Sequence, residues 1–236
     1  MDKFTQDTAS VPDFRHIGTW IFDLDNTLYP AASDLFAQIE ERMTVYLMRE
    51  LKLDETEAKA LRRQYYRKYG STLSGLVAHH TVDPEAFLSY VHDIDLSVLK
   101  PDPALAQAIA RLPGKRYVFT NGCRNHATRV LEKTGLSGLM DGIWDIRSMA
   151  FKPKPQPEAY ARIVADTGID PKSAVLFEDM AVNLAPAYDL GMTTVLLSNG
   201  SIWSDQAPGQ PAAAVSHPHI HHTIDDLGNF LQTIRL

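Results

Sequence analysis

The sequence predicts an α/β fold with a doubly wound, mostly parallel sheet and an inserted module of helices. Short apolar runs that end in polar residues alternate along the chain with helical patterns. Runs of this kind are typical of parallel strands that are buried on both faces. A stretch of roughly seventy residues after the first run contains helical patterns and no convincing strand. This interruption predicts that the helical module is inserted after the first strand.

Four apolar runs are the predicted strands, and each ends in polar or acidic residues. They are Thr19–Phe22, 116–119, 173–177 and 193–197, with a weaker candidate at 143–146. Helices are predicted between them. Asp102 before Pro103 is a helix start signal, and the segments 125–133 and 157–166 carry apolar residues at helical spacing. The alternation of strand and helix favours a doubly wound sheet.

The inserted stretch shows its own helix signals. An amphipathic stripe begins at Leu35, a capping box at Asp54 opens a helix that runs to Gly70, and Asp83 opens another. Such an insertion would bury little core alone, so we expect it to pack over the sheet edge as a lid. The predicted division is a flexible N-terminal tail at 1–16, an α/β core domain at 17–31 and 101–236, and a helical cap domain at 32–100.

Composition narrows the class of protein. Hydrophobic residues make up 44% and charged residues 22% of the 236-residue chain, as in ordinary globular proteins. The net charge of −6 and the lack of basic blocks argue against binding a nucleic acid polymer. No secretion signal is recognisable, and no apolar run approaches the ~20 residues of a membrane span. We therefore expect a cytoplasmic protein that binds a small molecule, with its oligomeric state open.

Polar side chains gather where the predicted strands end. In open α/β sheets, ligands bind beyond the carboxyl ends of the strands, so these side chains are the candidate site. They are Asp23, Asp25, Thr120, Asn121, Glu178 and Asp179, with Lys152 and Lys154 before a predicted helix.

Asp23 and Asp25 are the first pair. Two carboxylates in one cleft repel each other unless a cation lies between them, and Mg²⁺ prefers oxygen ligands, so Asp179 would complete a metal site. The alternative is that both are ordinary loop acids at a strand end. Asp93 and Asp95 have the same spacing without a preceding strand, so spacing alone decides nothing.

The other strand ends suit a phosphate group. Thr120 and Asn121 offer a hydroxyl, an amide and backbone N–H groups near a helix start, and Lys154 would neutralise an anion. Each group also has an ordinary interpretation: a strand-to-helix turn, a solvated lysine, and, for Glu178 and Asp179, acids that pair with a helix dipole. The four signals together, in this order, favour a phosphate site.

The ordered set of motifs resembles the haloacid dehalogenase superfamily, specifically its phosphatases with a helical cap. The motifs are Asp23-Leu24-Asp25-Asn26-Thr27, Thr120-Asn121, Lys154 and Glu178-Asp179, within residues 17–197. The resemblance implies that Asp23 is the nucleophile, forming an aspartyl-phosphate, and that Asp25 is the acid/base. It implies that Thr120 and Lys154 hold the phosphoryl group; Lys152 is the alternative lysine, but the Lys-Pro-x-Pro-x-x-Tyr context typical of the family favours Lys154. The implied ligands of Mg²⁺ are Asp23, the main-chain carbonyl of Asp25, Asp179 and, in or near the shell, Glu178.

The resemblance also bears on the reaction and the substrate. The dehalogenases lack an acid at the Asp25 position, so phosphate ester hydrolysis is favoured here. Tyr65 to Leu76 looks like the pyrimidine 5′-nucleotidase branch, which implies UMP or CMP as substrate and Tyr66 and Tyr69, with Asn121, as substrate contacts. Four alternatives remain. The tyrosines would pack helices instead of contacting a substrate, or the substrate would be a sugar phosphate or phosphoglycolate. The protein would otherwise be a phosphosugar mutase or a catalytically silent binding module.

Two further features carry less weight. The segment 217–222 contains four histidines, but irregular spacing and Pro218 favour a structural surface loop over a metal site. The single cysteine, Cys123, excludes an internal disulfide and is expected to be a packing residue.

Overall fold

A computed structural model describes residues 11–198 and 217–236. The strands are β1 (Thr19–Phe22), β2 (Lys115–Phe119), β3 (Gly142–Trp144), β4 (Ala174–Glu178), β5 (Thr193–Leu197) and β6 (His222–Ile224). The helices are α1 (Leu35–Leu51), α2 (Glu55–Tyr69), α3 (Thr72–His79), α4 (Pro84–Val91), α5 (Pro103–Ala110), α6 (Arg124–Thr134), α7 (Pro157–Thr167), α8 (Ala181–Asp189) and α9 (Leu227–Thr233).

The six strands of the described residues form one parallel sheet in the order β3-β2-β1-β4-β5-β6. The predicted doubly wound fold is confirmed, because the chain builds outward from β1 in one direction and then in the other. The central strands are apolar and buried on both faces, with Trp20, Phe22 and Phe177 stacked across β1 and β4. A topological switch point of this kind leaves a crevice beyond the strand ends.

Helices α1 to α4 lie between β1 and β2 in the chain, as the inserted stretch predicts. In α2, the Asp54 carboxylate accepts from Glu57 N at 2.9 Å and the Glu57 side chain accepts from Asp54 N at 2.9 Å, which completes the capping box. Gly70 ends this helix at φ 79°, a backbone conformation that favours glycine. Within the described residues, no helix is both long and apolar enough to cross a membrane.

The structure differs from the predictions at three places. The tail predicted at 1–16 is too long at its C-terminal end, because Phe14 is buried and its backbone N–H donates to Arg235 O at 2.9 Å; residues 1–10 lie outside the described part. Helix α3 was not among the predicted helices of the inserted stretch. Strand β6 and helix α9 were not predicted, since β6 has only three residues and carries a histidine and a threonine.

Gly75 allows α2 and α3 to pack closely. A Cβ atom at Gly75 would lie 2.2 Å from Cγ of the buried Tyr65 ring, so Gly75→Ala forces the two helices apart. We expect the free energy of unfolding to fall by about 1–3 kcal/mol, the usual cost of overpacking. Gly18→Ala is the control, since nothing lies within 4 Å of its added Cβ. Equal urea midpoints for the two variants would contradict this account.

Candidate active site

The register of the sheet brings the predicted acidic side chains together. Phe22 of β1 pairs with Phe177 of β4, and the N–H of the next residue, Asp23, donates to Phe177 O at 2.9 Å. Asp23 therefore leaves β1 beside Glu178, the last residue of β4, and Asp179 follows it. The three carboxylates place one oxygen each within 4.8 Å of one another, and all three are buried.

Lys154 lies against this group of carboxylates. Its ammonium donates to Asp23 Oδ1 at 2.6 Å and to Glu178 Oε2 at 2.7 Å, and only 1% of its side chain is exposed. Burial alone would lower the pKa of Lys154, but the charges of Asp23 and Glu178 outweigh it and raise the pKa. Lys154 is therefore a fixed positive charge beside the predicted nucleophile.

One ammonium does not balance three buried carboxylates. Burial, followed by the charge of Glu178, raises the pKa of both Asp23 and Asp179 well above the ordinary range. With Lys154 charged, the formal charge of the group is −2, and a divalent cation would remove both this excess and the tendency to hold protons. The donor set is made of carboxylate oxygens alone, which suits a hard cation such as Mg²⁺.

The loop that carries Lys154 is fixed from two sides. Asn121 exchanges two hydrogen bonds with the Lys154 backbone, accepting from its N–H at 2.8 Å and donating to its carbonyl at 3.1 Å. On the other side, a Cβ atom at Gly70 would lie 3.3 Å from Lys154 O, so the end of α2 approaches this loop closely. Gln156 also donates to Tyr69 O at 3.1 Å. Asn121 therefore positions the lysine loop, and its contact with the substrate stays a prediction.

Asp25 lies outside the group of three carboxylates and has different partners. Its Oδ1 accepts from the Tyr29 hydroxyl at 2.7 Å and lies 2.9 Å from His126 Nε2. Burial alone would raise the pKa of Asp25, but His126 and Tyr29 outweigh it and lower the pKa. This direction favours the carboxylate that accepts a proton from water; an approaching phosphate charge would shift the pKa upward. The predicted metal contact through the Asp25 main-chain carbonyl stays a prediction.

Thr120 follows β2 and is completely buried. Its N–H donates to Trp144 O at 2.9 Å, and its hydroxyl accepts from Gly122 N at 2.9 Å while keeping its own hydrogen for donation. The same turn precedes α6. This geometry allows the hydroxyl to donate to an oxygen at the strand ends, as the phosphate prediction requires.

The two predicted tyrosine contacts behave differently. Tyr66 is half-buried, and its hydroxyl donates to Met180 Sδ at 3.1 Å, next to Asp179. Burial, together with the nearby charges of Glu178 and Asp179, raises the pKa of Tyr66. Tyr69 instead pairs its hydroxyl with His79, within the inserted helices. Of the two, Tyr66 lies beside the carboxylates, whereas the Tyr69 hydroxyl bonds inside the inserted helices; a substrate contact by Tyr69 stays a prediction.

Other polar groups that the sequence offered as site candidates or comparisons are bonded to neighbouring protein groups. Lys152 pairs with Glu158 at 3.0 Å on the surface. Asp95 bonds to Ser97, and Asp93 pairs with Arg42, so these two acids stabilise a loop. In the segment 217–222, two histidine rings contact protein groups. His219 Nε2 lies 2.9 Å from Ala181 O, and His221 Nδ1 lies 2.8 Å from Thr194 Oγ1.

Sequence reasoning gave no role to the two partners of Asp25. Tyr29 lies four residues beyond Asp25, and His126 lies on the apolar face of α6, four residues before the buried Val130. A histidine on a buried helix face next to a predicted phosphate-binding turn is a usable signal. Its partner lies about a hundred residues away in the chain, so only the fold identifies the contact.

The family model for haloacid dehalogenase-like hydrolases matches residues 17–191. The chain belongs to this family of hydrolases, which agrees with the parallel sheet and the ordered strand-end groups.

One relative is a yeast protein that is similar over most of this chain. Phosphate metabolism protein 8 of Saccharomyces cerevisiae is 29% identical over 215 residues, which cover 82% of this chain but only 66% of the yeast protein. The chain thus spans just under two thirds of that relative.

Two solved structures share the fold. The HAD phosphatase from Thermococcus onnurineus has a TM-score of 0.57 at 16% identity, covering 93% of this chain and 100% of that one. The HAD-hydrolase YfnB from Bacillus subtilis, solved with bound magnesium, has a TM-score of 0.54 at 15% identity, covering 93% of this chain and 99% of that one. Identities this low show the fold alone.

Proposed function

We propose that this protein is a Mg²⁺-dependent phosphomonoester hydrolase that acts through an aspartyl-phosphate on Asp23. The observation that carries the proposal is the arrangement around Asp23: a buried carboxylate fixed by the Lys154 ammonium, with Glu178 and Asp179 within 4.8 Å. Phosphoryl transfer depends mainly on positioning and on neutralising the charge of the phosphoryl oxygens. The buried group of acids and one lysine supplies both when it holds a divalent cation.

Each side chain has a defined part in the first half of the reaction. An Asp23 oxygen forms a bond to phosphorus while the bond from phosphorus to the ester oxygen breaks. Asp25, as the acid, gives its proton to that leaving oxygen. Lys154 and the Thr120 hydroxyl bind phosphoryl oxygens. Mg²⁺, held by Asp23, Asp179 and the nearby Glu178, would supply charge neutralisation as a Lewis acid.

The second half regenerates the enzyme. Asp25, now a carboxylate, takes a proton from a water molecule as the water oxygen attacks phosphorus. The bond from Asp23 to phosphorus breaks, and inorganic phosphate leaves. The presence of Asp25 supports a phosphatase over a dehalogenase, because a departing halide needs no proton.

For the substrate we propose a pyrimidine nucleoside 5′-monophosphate, such as UMP or CMP. The support is the similarity of the Tyr65 to Leu76 segment to the pyrimidine 5′-nucleotidases, together with the place of Tyr66 beside Asp179. Tyrosine rings stack on planar bases. Sugar phosphates and phosphoglycolate are the alternatives within the same reaction, and a phosphosugar mutase is the alternative outside it.

A substrate panel tests this proposal. We expect release of inorganic phosphate from UMP and CMP at higher kcat/KM than from purine nucleotides, ribose 5-phosphate or phosphoglycolate. Colorimetric phosphate detection with saturating Mg²⁺ measures all five classes. Formation of a phosphorylated isomer without free phosphate would establish a mutase instead. Inactivity on every compound would contradict the phosphatase.

Tyr66→Ala tests the contact with the base. Loss of stacking, which is worth about 1–3 kcal/mol per base, should raise KM for UMP on the order of 10-fold. Ribose 5-phosphate has the same sugar and phosphate without the base, so its KM should change much less. Tyr69→Ala is the matched control, because the Tyr69 hydroxyl bonds to His79. Equal changes for UMP and ribose 5-phosphate would remove the stacking contact.

A further inference from the structure

Asp25 is held through one of its two carboxylate oxygens. Both the Tyr29 hydroxyl, at 2.7 Å, and His126 Nε2, at 2.9 Å, contact Oδ1. In the part of the chain that the structure describes, no donor contacts Oδ2. The side chain of Asp25 is 16% exposed, whereas that of His126 is completely buried. One oxygen is therefore saturated by donors, and the other remains available to a ligand.

The geometry assigns the hydrogen of His126 to Nε2. Its other ring nitrogen, Nδ1, is buried without a hydrogen-bond partner among the described residues. A hydrogen on Nδ1 would therefore be a buried donor with nothing to accept it, which is costly. With the hydrogen on Nε2, His126 donates to Asp25 Oδ1, and Nδ1 carries only a lone pair.

The ring of His126 is fixed from behind by His92. The two imidazoles stack with centroids 4.6 Å apart and an angle of 15° between their planes. His92 Nδ1 lies 3.0 Å from Leu88 O, so the second ring is bonded to the end of α4. Burial, then the neighbouring His126, lowers the pKa of His92 to about 3, so His92 is neutral over the physiological range.

The segment that leaves α4 is in turn fastened to α6. Arg129, one turn after His126, donates to His92 O at 2.9 Å and to Ile94 O at 3.1 Å. These bonds keep His92 against His126. Asp25, His126 and His92 thus form a continuous chain of contacts from the site to the end of the inserted helices.

We propose that His126 is a positioning residue for the acid/base step: it saturates Oδ1 of Asp25 and so reserves Oδ2 for proton transfer. The proposal deepens the proposed phosphatase function and rests on it. A protonated Asp25 with its hydrogen on Oδ2 still accepts at Oδ1, so the bond to His126 persists in both halves of the reaction. The proton moves only between Oδ2 and the leaving oxygen or water, and His126 keeps its own hydrogen throughout.

The dependence on leaving group separates this role from a purely structural one. An alkyl phosphate has a poor leaving group that needs a proton in the transition state, whereas p-nitrophenolate leaves readily without one. A well-placed general acid is worth about 10²–10⁴-fold. Misplacing Asp25 should therefore lower kcat for an alkyl phosphate far more than kcat for p-nitrophenyl phosphate.

The experiment compares three variants on two substrates. His126→Leu removes the donor, His126→Gln keeps an N–H donor, and Tyr29→Phe removes the other donor to Oδ1 without opening a large cavity. With ribose 5-phosphate, we expect His126→Leu to lower kcat on the order of 10–100-fold, with KM little changed, because a misplaced acid loses part of the 10²–10⁴-fold contribution. With p-nitrophenyl phosphate the loss should be only a few-fold. His126→Gln should recover much of the lost rate.

The outcomes distinguish a failure of the phosphatase proposal from a failure of the positioning role of His126. If the wild-type protein releases phosphate from neither substrate and from neither UMP nor CMP, the phosphatase itself fails; if it hydrolyses nucleotides but not ribose 5-phosphate, UMP takes the place of ribose 5-phosphate as the alkyl phosphate. If the wild type is active but His126→Leu slows both substrates equally, or His126→Gln recovers nothing while folded, the positioning role is overturned. Should His126→Leu fail to fold, Tyr29→Phe decides: a larger loss with ribose 5-phosphate supports the saturation of Oδ1, and an equal loss overturns it.

Discussion

Asp23→Asn is expected to lower phosphate release by at least ~10³-fold at saturating Mg²⁺ and substrate, as loss of a nucleophile does in other covalent enzymes. A neutral amide does not attack phosphorus and cannot carry the acyl-phosphate. The substitution preserves the volume of the side chain, and the amide oxygen still accepts from Lys154, which contacts Asp23 Oδ1 at 2.6 Å. The loss should therefore be chemical and should leave the fold intact.

The matched control for this prediction is Asp93→Asn. Asp93 belongs to a second pair of acids with the same spacing, but its side chain is 78% exposed and pairs with Arg42 on the surface. Activity should stay within about twofold, because surface pairs of this kind contribute little. If Asp23→Asn keeps more than about a tenth of the wild-type rate, Asp23 is not the nucleophile.

The position of Asp23 at a sheet edge could be predicted because the apolar runs carry a clear signal. A buried parallel strand has no polar face, so its end is visible as the first acid after the run. Once β1 and β4 are neighbours, register alone brings Asp23 beside Glu178, since Phe22 pairs with Phe177. The group of carboxylates is thus a consequence of strand ends that the sequence already indicates.

The partners of Asp25 could not be predicted in the same way. His126 reaches Asp25 across 101 positions of the chain, and its place on a helix face resembles that of an ordinary buried residue. Strand β6 was not predicted because three residues give too short a pattern. The burial of Phe14 was not predicted because its backbone N–H bonds to Arg235 O, far away in the chain. Contacts between distant segments need the tertiary fold.

Lys154→Met should destabilise the metal-free protein by about 3–5 kcal/mol, the usual result of removing one partner of a buried ion pair. Methionine fills nearly the same space, but Asp23 and Glu178 each lose a bond of 2.6–2.7 Å and remain buried. Three neighbouring carboxylates are then left without a positive charge. The free energy of unfolding in urea, measured with EDTA and with Mg²⁺, checks this prediction.

Lys152→Met separates this effect from the loss of any lysine in the same loop. Lys152 is 52% exposed and pairs with Glu158 on the surface, so its removal should change stability by no more than ~1 kcal/mol. The activity of Lys152→Met should also persist. The activity of Lys154→Met should fall even when Mg²⁺ restores the stability of that variant. Equal urea midpoints for the two variants would contradict the role of Lys154.

The loss in the free energy of unfolding caused by Lys154→Met, its stability deficit, should depend on pH. In the folded, metal-free protein the pKa of Asp23 is already raised, with Lys154 opposing the shift, so removing Lys154 raises this pKa further. A carboxyl with a raised folded-state pKa is tolerated while protonated and costs stability as pH rises above the unfolded value of about 4. Up to about pH 7 the folded wild type and the folded variant both hold this proton, so the deficit should stay level there and should grow in EDTA as the pH rises through the wild-type folded-state pKa of about 8. Mg²⁺ should reduce this growth, because a bound cation replaces both the lost ammonium and the proton; a deficit independent of pH would show that the loss comes from packing and not from charge.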